Sequence, residues 1–257
     1  MQPATRDAVI SKVPAVTLGF WAIKILCTTL GETGGDTLSM TWDLGYAIST
    51  AIFVVPFVAL VWAQIAARAY KPWLYWATII ASTMIGTTIA DFATRSLGIG
   101  YPGGSLLLLG LVLASLAVWK ATLGTVDVNR IASPRAELFY WLTITFSQTL
   151  GTALGDWTAD GSLGYLGAAA LFGTLLAALA ALYRWTSISH VALFWAAFIL
   201  TRPLGATVGD FLDKPLDKGG LDLSRPIASL VLAVAIAGLI TILPQRAGNH
   251  PGAEPAS

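Results

Sequence analysis

Four aspartates recur at equivalent places along this chain, each directly after a pair of small residues spaced four apart. The aspartates are Asp36, Asp91, Asp156 and Asp210. The small pairs are Gly31 and Gly35, Gly86 and Ala90, Gly151 and Gly155, and Gly205 and Gly209. Carboxylates bind hard divalent cations such as Mn²⁺, Mg²⁺ or Ca²⁺, and they also carry protons. Because the carboxylate returns in every copy, we expect the four aspartates, assisted by Glu32 in the first copy, to bind an ion.

The composition places this motif in a membrane. The chain has 257 residues, of which 56% are hydrophobic and 11% charged, whereas soluble domains carry about 25% charged residues. Hydropathy predicts an all-α, polytopic membrane protein with the lipid bilayer as its main partner. The net charge of +1 argues against a nucleic-acid partner. One cysteine and two histidines leave few ligands for zinc or copper, so no cofactor is expected and the candidate metal is a transported divalent cation.

Eight predicted transmembrane helices form four tandem two-helix repeats. Their approximate bounds are 13–35, 46–67, 73–91, 104–120, 137–156, 163–183, 189–211 and 226–243. The motif ends each odd-numbered helix. Because a two-helix unit returns the chain to its starting side, the four repeats share a parallel orientation, and their approximate bounds are 13–67, 73–120, 137–183 and 189–243. Residues 1–12 remain as an N-terminal segment and 244–257 as a disordered tail.

Positive charge predicts how the helices are oriented. Nine of the fifteen Lys and Arg residues fall in the terminal segments and the loops between repeats, and four fall in the loops on the other side. The positive-inside rule then puts both termini in the cytoplasm of a bacterial inner membrane. Tryptophans near the predicted helix ends suit an aromatic belt at the membrane interface. They are Trp42, Trp73, Trp76, Trp119, Trp141, Trp157 and Trp185.

Four tandem hairpins with a Gly…Asp signature resemble the DUF347 repeat family of uncharacterised bacterial membrane-anchored proteins. The resemblance covers residues 13 to about 243 and implies the repeat architecture. The first copy, Glu32-Thr-Gly-Gly-Asp36-Thr37, is also similar to the Glu-x-Gly-Asp signature of the UPF0016 cation exchangers. It has one more residue between the acids and lacks the basic residue of that signature, and the other three copies have no acid in place of Glu32.

The small residues have a packing role of their own. Small pairs at this spacing let transmembrane helices approach closely, so the four odd helices could converge through these faces. The aspartate, one residue further, is rotated by about 100° around the helix and would face a central cavity beside the contact. An alternative stays open, because a straight-helix count puts each aspartate near the outer interface, where a carboxylate often only contacts water.

Two basic residues inside predicted helices, Lys24 and Arg202, break the fourfold symmetry. The equivalent positions hold Ile79, Ile144 and Phe198 for Lys24, and Thr28, Thr83 and Gln148 for Arg202. Charged side chains at membrane depth mark ion pairs or transport pathways. Arg202 could pair with an aspartate of another repeat, and Lys24 could snorkel or pair in the same way. Either residue could instead gate the site or bind an anion.

These features favour a transporter for a divalent, Mn²⁺-like cation that uses the carboxylates, with coupling to protons as an option. One alternative is a transporter of a small organic or anionic solute, with Arg202 and Lys24 as counter-charges. Another is a scaffold or sensor that uses the motif only to pack helices. An enzyme is not expected, because the sequence has no nucleophile–base pair, His-based metal motif or cofactor loop. The oligomeric state is left open.

Overall fold

The computed structural model describes residues 11–131 and 133–248, and the regular structure of this part is helical. Eight long helices follow one another along the chain. They are α1 (Leu18–Asp36), α2 (Gly45–Ala66), α3 (Pro72–Asp91), α4 (Gly100–Leu123), α5 (Pro134–Thr158), α6 (Gly164–Trp185), α7 (His190–Asp213) and α8 (Arg225–Ile242). The all-α prediction is confirmed, and the predicted bounds of the helices agree with these within five residues.

Short-range signals fix where several helices begin. The Ser133 hydroxyl accepts a hydrogen bond from the N–H of Ala136 at 3.2 Å, which satisfies one of the free donors in the first turn of α5. Pro72 and Pro134 occupy the first positions of α3 and α5, where a missing N–H costs no helical hydrogen bond. These signals explain why both helices start within three residues of their predicted bounds.

The segments before α1 and after α8 lie side by side, and we call residues 11–15 and 244–248 the terminal strap. Two backbone hydrogen bonds join them, from Ala15 N to Arg246 O at 2.9 Å and from Gly248 N to Val13 O at 2.8 Å. The sequence assigned the second segment to a disordered tail, and backbone pairing orders it instead. After the strap, α1 begins at Leu18, where the Thr17 hydroxyl accepts a hydrogen bond from the N–H of Phe20 at 3.2 Å. The rest of the two predicted terminal segments lies outside the described residues.

The four odd helices form a closed ring. Helix α1 packs against α3, α3 against α5, α5 against α7, and α7 against α1. Each even helix lies outside the ring and packs mainly against the odd helix of the following repeat, and α8 completes the cycle by packing against α1. The bundle is therefore held together by contacts between repeats, and the first and last repeats are neighbours.

The even helices expose an apolar surface around this ring. Examples on α2 and α4 are Ile48, Ile52, Val55, Val58, Leu106, Leu107 and Leu113. A continuous apolar surface is unfavourable in water and suits lipid. Six segments of the described chain are long and apolar enough to cross a membrane. One of them, Pro134–Trp185, contains both α5 and α6, and α1 is not among the six. Several apolar helices thus indicate a membrane protein.

The tryptophans assigned to the membrane interface fall into two groups. The exposed group consists of Trp42, Trp73, Trp157 and Trp185. The other group, Trp76, Trp119 and Trp141, is no more than 3% exposed. For these three the interfacial prediction is wrong, because they pack inside the bundle in the main hydrophobic cluster.

Candidate ion-binding site

The motif glycines lie at the contacts between neighbouring odd helices. A Cβ atom at Gly86 would lie 2.8 Å from the Cβ and 2.9 Å from the carbonyl carbon of Gln148, so α3 and α5 approach this closely only with glycine there. The other first glycines face equivalent positions: Gly31 faces Thr83, Gly151 faces Arg202, and Gly205 faces Thr28. Of the second small residues, Gly35 faces Thr87, Gly155 faces Ala206, Gly209 faces Glu32, and Ala90 is buried in a cluster with Leu150 and Ala153 of α5.

The four motif aspartates lie together at one end of the ring, which we call the carboxylate end. None of them is more than 2% exposed, although α1 and α3 end at Asp36 and Asp91. In each of the first three repeats the helix continues beyond the aspartate into a π-helical turn. These turns are Thr37–Thr41, Phe92–Ser96 and Ala159–Leu163. Helix α7 likewise continues to Asp213. A straight-helix count from hydropathy does not include these extra turns.

Two basic side chains link the aspartates in pairs. Arg95 contacts Asp91 at 2.9 Å and Asp156 at 3.0 Å, and Lys214 contacts Asp210 at 2.9 Å and Asp36 at 2.7 Å. Each basic residue follows the aspartate of its own repeat by four positions and reaches the aspartate of the next repeat. The equivalent positions of the other two repeats hold Met40 and Asp160. The charge pattern is therefore twofold, although the backbone repeats four times.

Sequence reasoning assigned Arg95 and Lys214 only to the loops beyond the helices. The available signal was their spacing, because a base four residues after an acid faces it on the same side of a helix. This spacing occurs in the second and fourth copies of the motif, which are the two copies that supply the linking cations.

A further acid and base extend the cluster beside Lys214. Asp213 lies 3.9 Å from Lys214 and pairs with Arg225 at 3.1 Å, and Arg225 also lies 3.8 Å from Asp36. Burial disfavours the charged form of Lys214, but the carboxylates of Asp210, Asp36 and Asp213 outweigh this effect and raise the pKa of Lys214 well above its ordinary value. Lys214 therefore remains a cation as long as these carboxylates are ionised.

Arg202 extends from α7 to the three other odd helices. Its guanidinium donates to Thr28 O at 3.2 Å and Glu32 Oε2 at 3.0 Å on α1, to Thr87 Oγ1 at 2.5 Å on α3, and to Thr152 Oγ1 at 2.6 Å on α5. The side chain is completely buried. Since one group reaches all four helices of the ring, it lies at the centre of the bundle. The sequence suggested an aspartate as its partner, and the structure gives Glu32 instead.

Lys24 is also completely buried, and it makes no ion pair with the described residues. Its ammonium group lies 3.4 Å from the Thr201 hydroxyl and 4.1 Å from the centre of the Phe198 ring. A cation above an aromatic face is attracted by the ring quadrupole. Neither of the two expectations for Lys24, snorkelling or pairing with an acid, is met among these residues, and Lys24 does not join the carboxylates.

Two groups of carboxylates are compact enough to share one cation each. Oxygens of Glu32, Asp156 and Asp210 lie within 4.8 Å of one another, and so do oxygens of Asp36, Asp210 and Asp213. Oxygens that surround Ca²⁺ at about 2.3–2.6 Å are separated by distances of this size. Within the described part of the chain, Asp36 Oδ1 and Asp156 Oδ1 are buried without a hydrogen bond or an ion pair. These two oxygens can therefore coordinate a cation or accept a hydrogen bond.

A cavity of about 530 Å³ opens at the carboxylate end. The charged residues in its wall are Arg95, Asp160, Asp210, Lys214, Lys218 and Arg225. Asp210 belongs to both carboxylate groups, so a solute in the cavity reaches the edge of the cluster. Asp91 is the motif aspartate that belongs to neither group, and it is held by Arg95.

Comparison with known proteins agrees with the repeat pattern. A family model described as a repeat of unknown function, DUF347, matches residues 19–70, 74–125, 139–189 and 193–244. No curated protein and no solved structure matches the chain, and these comparisons do not support the similarity to the UPF0016 exchangers. Each of the four matches contains one motif and the following even helix. Because they cover most of its length, the chain belongs to the DUF347 repeat family.

Proposed function

We propose that this chain is a membrane transporter for a divalent cation, and the observation that carries the proposal is a charge imbalance in the buried cluster. Six carboxylates take part: Glu32, Asp36, Asp91, Asp156, Asp210 and Asp213. Four basic side chains face them: Arg95, Arg202, Lys214 and Arg225. When all ten are ionised the cluster holds two excess negative charges. Buried charge without a counter-charge is costly, and one divalent cation balances it.

The linking cations give this site a way to bind and release its substrate. The Lys214 ammonium contacts the carboxylates of Asp36 and Asp210, which a metal ion at this site would also bind. An ion that enters from the cavity competes with the Lys214 ammonium, which can swing back when the ion leaves. Protons compete with a metal ion for the same carboxylate oxygens. This competition is the basis that we propose for coupling metal transport to protons.

We infer eight transmembrane helices, arranged as four parallel repeats in a bacterial inner membrane. Lys24, Glu32 and Asp36 lower the mean hydropathy of α1, and α3, α7 and α8 pack around it and shield it from lipid. The distribution of Lys and Arg favours cytoplasmic termini, with the carboxylate end on the opposite side.

Removing the charge of an aspartate whose second oxygen has no partner among the described residues tests this proposal. In proteoliposomes that contain a Mn²⁺-sensitive dye, we expect Asp36→Asn and Asp156→Asn each to lower the rate of Mn²⁺ entry at least tenfold. The substitution keeps the size of the side chain and removes a charged ligand. A matched control is Asp43→Asn, since Asp43 is exposed and its positive φ suits asparagine. Its rate should stay within twofold of the unmodified protein.

If both variants take up Mn²⁺ at the unmodified rate and unfold at the same temperature as the unmodified protein, the carboxylate mechanism is wrong. Lack of gradient-driven flux in the unmodified protein, for Mn²⁺ and for anions, would leave the scaffold or sensor as the remaining function.

A second candidate, transport of a small anionic solute, is favoured by the wall of the cavity. Four of its six charged residues are basic, and Lys218 has no ion-pair partner among the described residues. If anions are the substrate, Lys218→Gln and Arg202→Gln lower anion flux while Asp156→Asn does not. If the substrate is a cation, Asp156→Asn has the larger effect.

A further inference from the structure

A second motif repeats in this chain in register with the first. An aromatic residue followed by tryptophan occurs in every odd helix, eleven positions before the first motif glycine. The four pairs are Phe20-Trp21, Tyr75-Trp76, Tyr140-Trp141 and Phe194-Trp195. The carboxylate mechanism gives these pairs no role. They lie towards the end of the ring opposite the aspartates, and we call the eight residues the aromatic girdle.

The aromatic girdle is a closed cycle of rings. The first aromatic residue of each repeat packs on the tryptophan of the next repeat: Phe20 on Trp76 at 5.5 Å between ring centres, Tyr75 on Trp141 at 5.8 Å, Tyr140 on Trp195 at 6.2 Å, and Phe194 on Trp21 at 5.7 Å. Edge-to-face and tilted contacts at these distances are favourable. All members except Trp21 are less than 9% exposed. The cycle therefore fills the ring at this end with side chains.

Two polar contacts lock this cycle. The hydroxyl groups of Tyr75 and Tyr140 lie 2.6 Å apart in a hydrogen bond between α3 and α5. On the outside, Gln245 of the terminal strap accepts a hydrogen bond from Trp76 Nε1 at 3.1 Å. A cavity of about 180 Å³ between the strap and the bundle is lined by Phe20, Trp76 and strap residues. Two girdle rings therefore border this cavity.

The two ends of the ring thus differ in accessibility. At the carboxylate end a cavity of about 530 Å³ reaches Asp210 and Lys214, whereas at the other end aromatic rings and the terminal strap cover the bundle. We propose that the aromatic girdle is the second gate of the transport pathway, closed in this structure while the carboxylate end is open. This gate rests on the proposed transport function and adds a conformational step to it. In that step the Tyr75–Tyr140 hydrogen bond breaks, and the rings turn towards the strap.

Cys27 provides a built-in probe of this gate, because it is the single cysteine of the chain. It is completely buried on α1, seven positions after Phe20 and five before Glu32, so it lies between the girdle and the charge cluster. A thiol at this place becomes reactive towards a water-soluble reagent when the girdle opens.

The experiment uses the full chain in vesicles and a trimethylammonium methanethiosulfonate reagent added to one side at a time. The double variant Tyr75→Phe/Tyr140→Phe keeps both rings and removes their hydrogen bond, and we expect Cys27 modification from the girdle side to rise about fivefold, the equilibrium shift that one net hydrogen bond supplies. Gln245→Leu, which frees Trp76, should raise it in the same way. Tyr183→Phe is the matched control, because Tyr183 is 57% exposed on α6, and Cys27→Ser measures background labelling.

Unchanged labelling from the girdle side in both test variants would overturn the gate, and so would a rise confined to the carboxylate side. The measurement does not require transport. If Mn²⁺ and anion flux are both lacking but the variants open, the proposed function fails while the opening of the girdle stands. If Asp156→Asn abolishes flux but the variants stay closed, the gate fails and the carboxylate site stands.

Discussion

Replacing Gly86 by leucine should prevent the ring of odd helices from forming. A Cβ atom alone at this position lies 2.9 Å from the carbonyl carbon of Gln148 and 3.0 Å from the backbone nitrogen of Thr149. Backbone atoms cannot rotate away as a side chain can, so α3 and α5 must separate. We expect Gly86→Ala to cost about 1–3 kcal/mol, and Gly86→Leu to exceed about 4 kcal/mol and leave little folded protein. Thermal unfolding of the purified protein in detergent measures both effects.

The chain offers a matched control for this substitution. Gly110 on α4 and Gly173 on α6 have nothing within 4 Å of an added Cβ. Leucine at either position extends into open space on the outer surface, where it should change the unfolding midpoint very little. Similar unfolding of Gly86→Leu and Gly110→Leu would contradict the close contact between α3 and α5.

The helices and their contact faces could be predicted from the sequence because both depend on local patterns. Hydropathy predicted all eight helices, and the small residues of the motif mark the surfaces where odd helices meet. Two local errors have physical causes. The Thr17 hydroxyl caps α1, so this helix starts at Leu18 and the residues before it belong to the terminal strap. Tryptophan suits both a membrane interface and a packed core, so hydropathy alone did not separate Trp76 from Trp73.

The cations of the site were harder to predict, because their partners lie in other repeats. Arg95 and Lys214 looked like loop charges until the ring placed each beside an aspartate of the next repeat. The pair of Glu32 and Arg202 depends on contact between the first and fourth repeats, which only closure of the ring creates. In the sequence, however, Glu32 and Arg202 already stand out, because the equivalent positions of the other repeats hold uncharged residues.

The pairing of Arg202 with Glu32 leads to a prediction for a pair of substitutions. Arg202→Met should destabilise the protein by about 3–5 kcal/mol, because it leaves the Glu32 carboxylate buried without its counter-charge. The double variant Arg202→Met/Glu32→Met removes both charges and keeps the volume of the side chains, so it should regain most of this loss. A double-mutant cycle from thermal or denaturant unfolding measures the coupling. Arg184→Met, at an exposed position of α6, serves as the control and should shift stability by less than about 0.5 kcal/mol. A double variant no more stable than Arg202→Met would mean that the hydrogen bonds of Arg202 to Thr87 and Thr152, and not its charge balance with Glu32, hold the centre of the ring together.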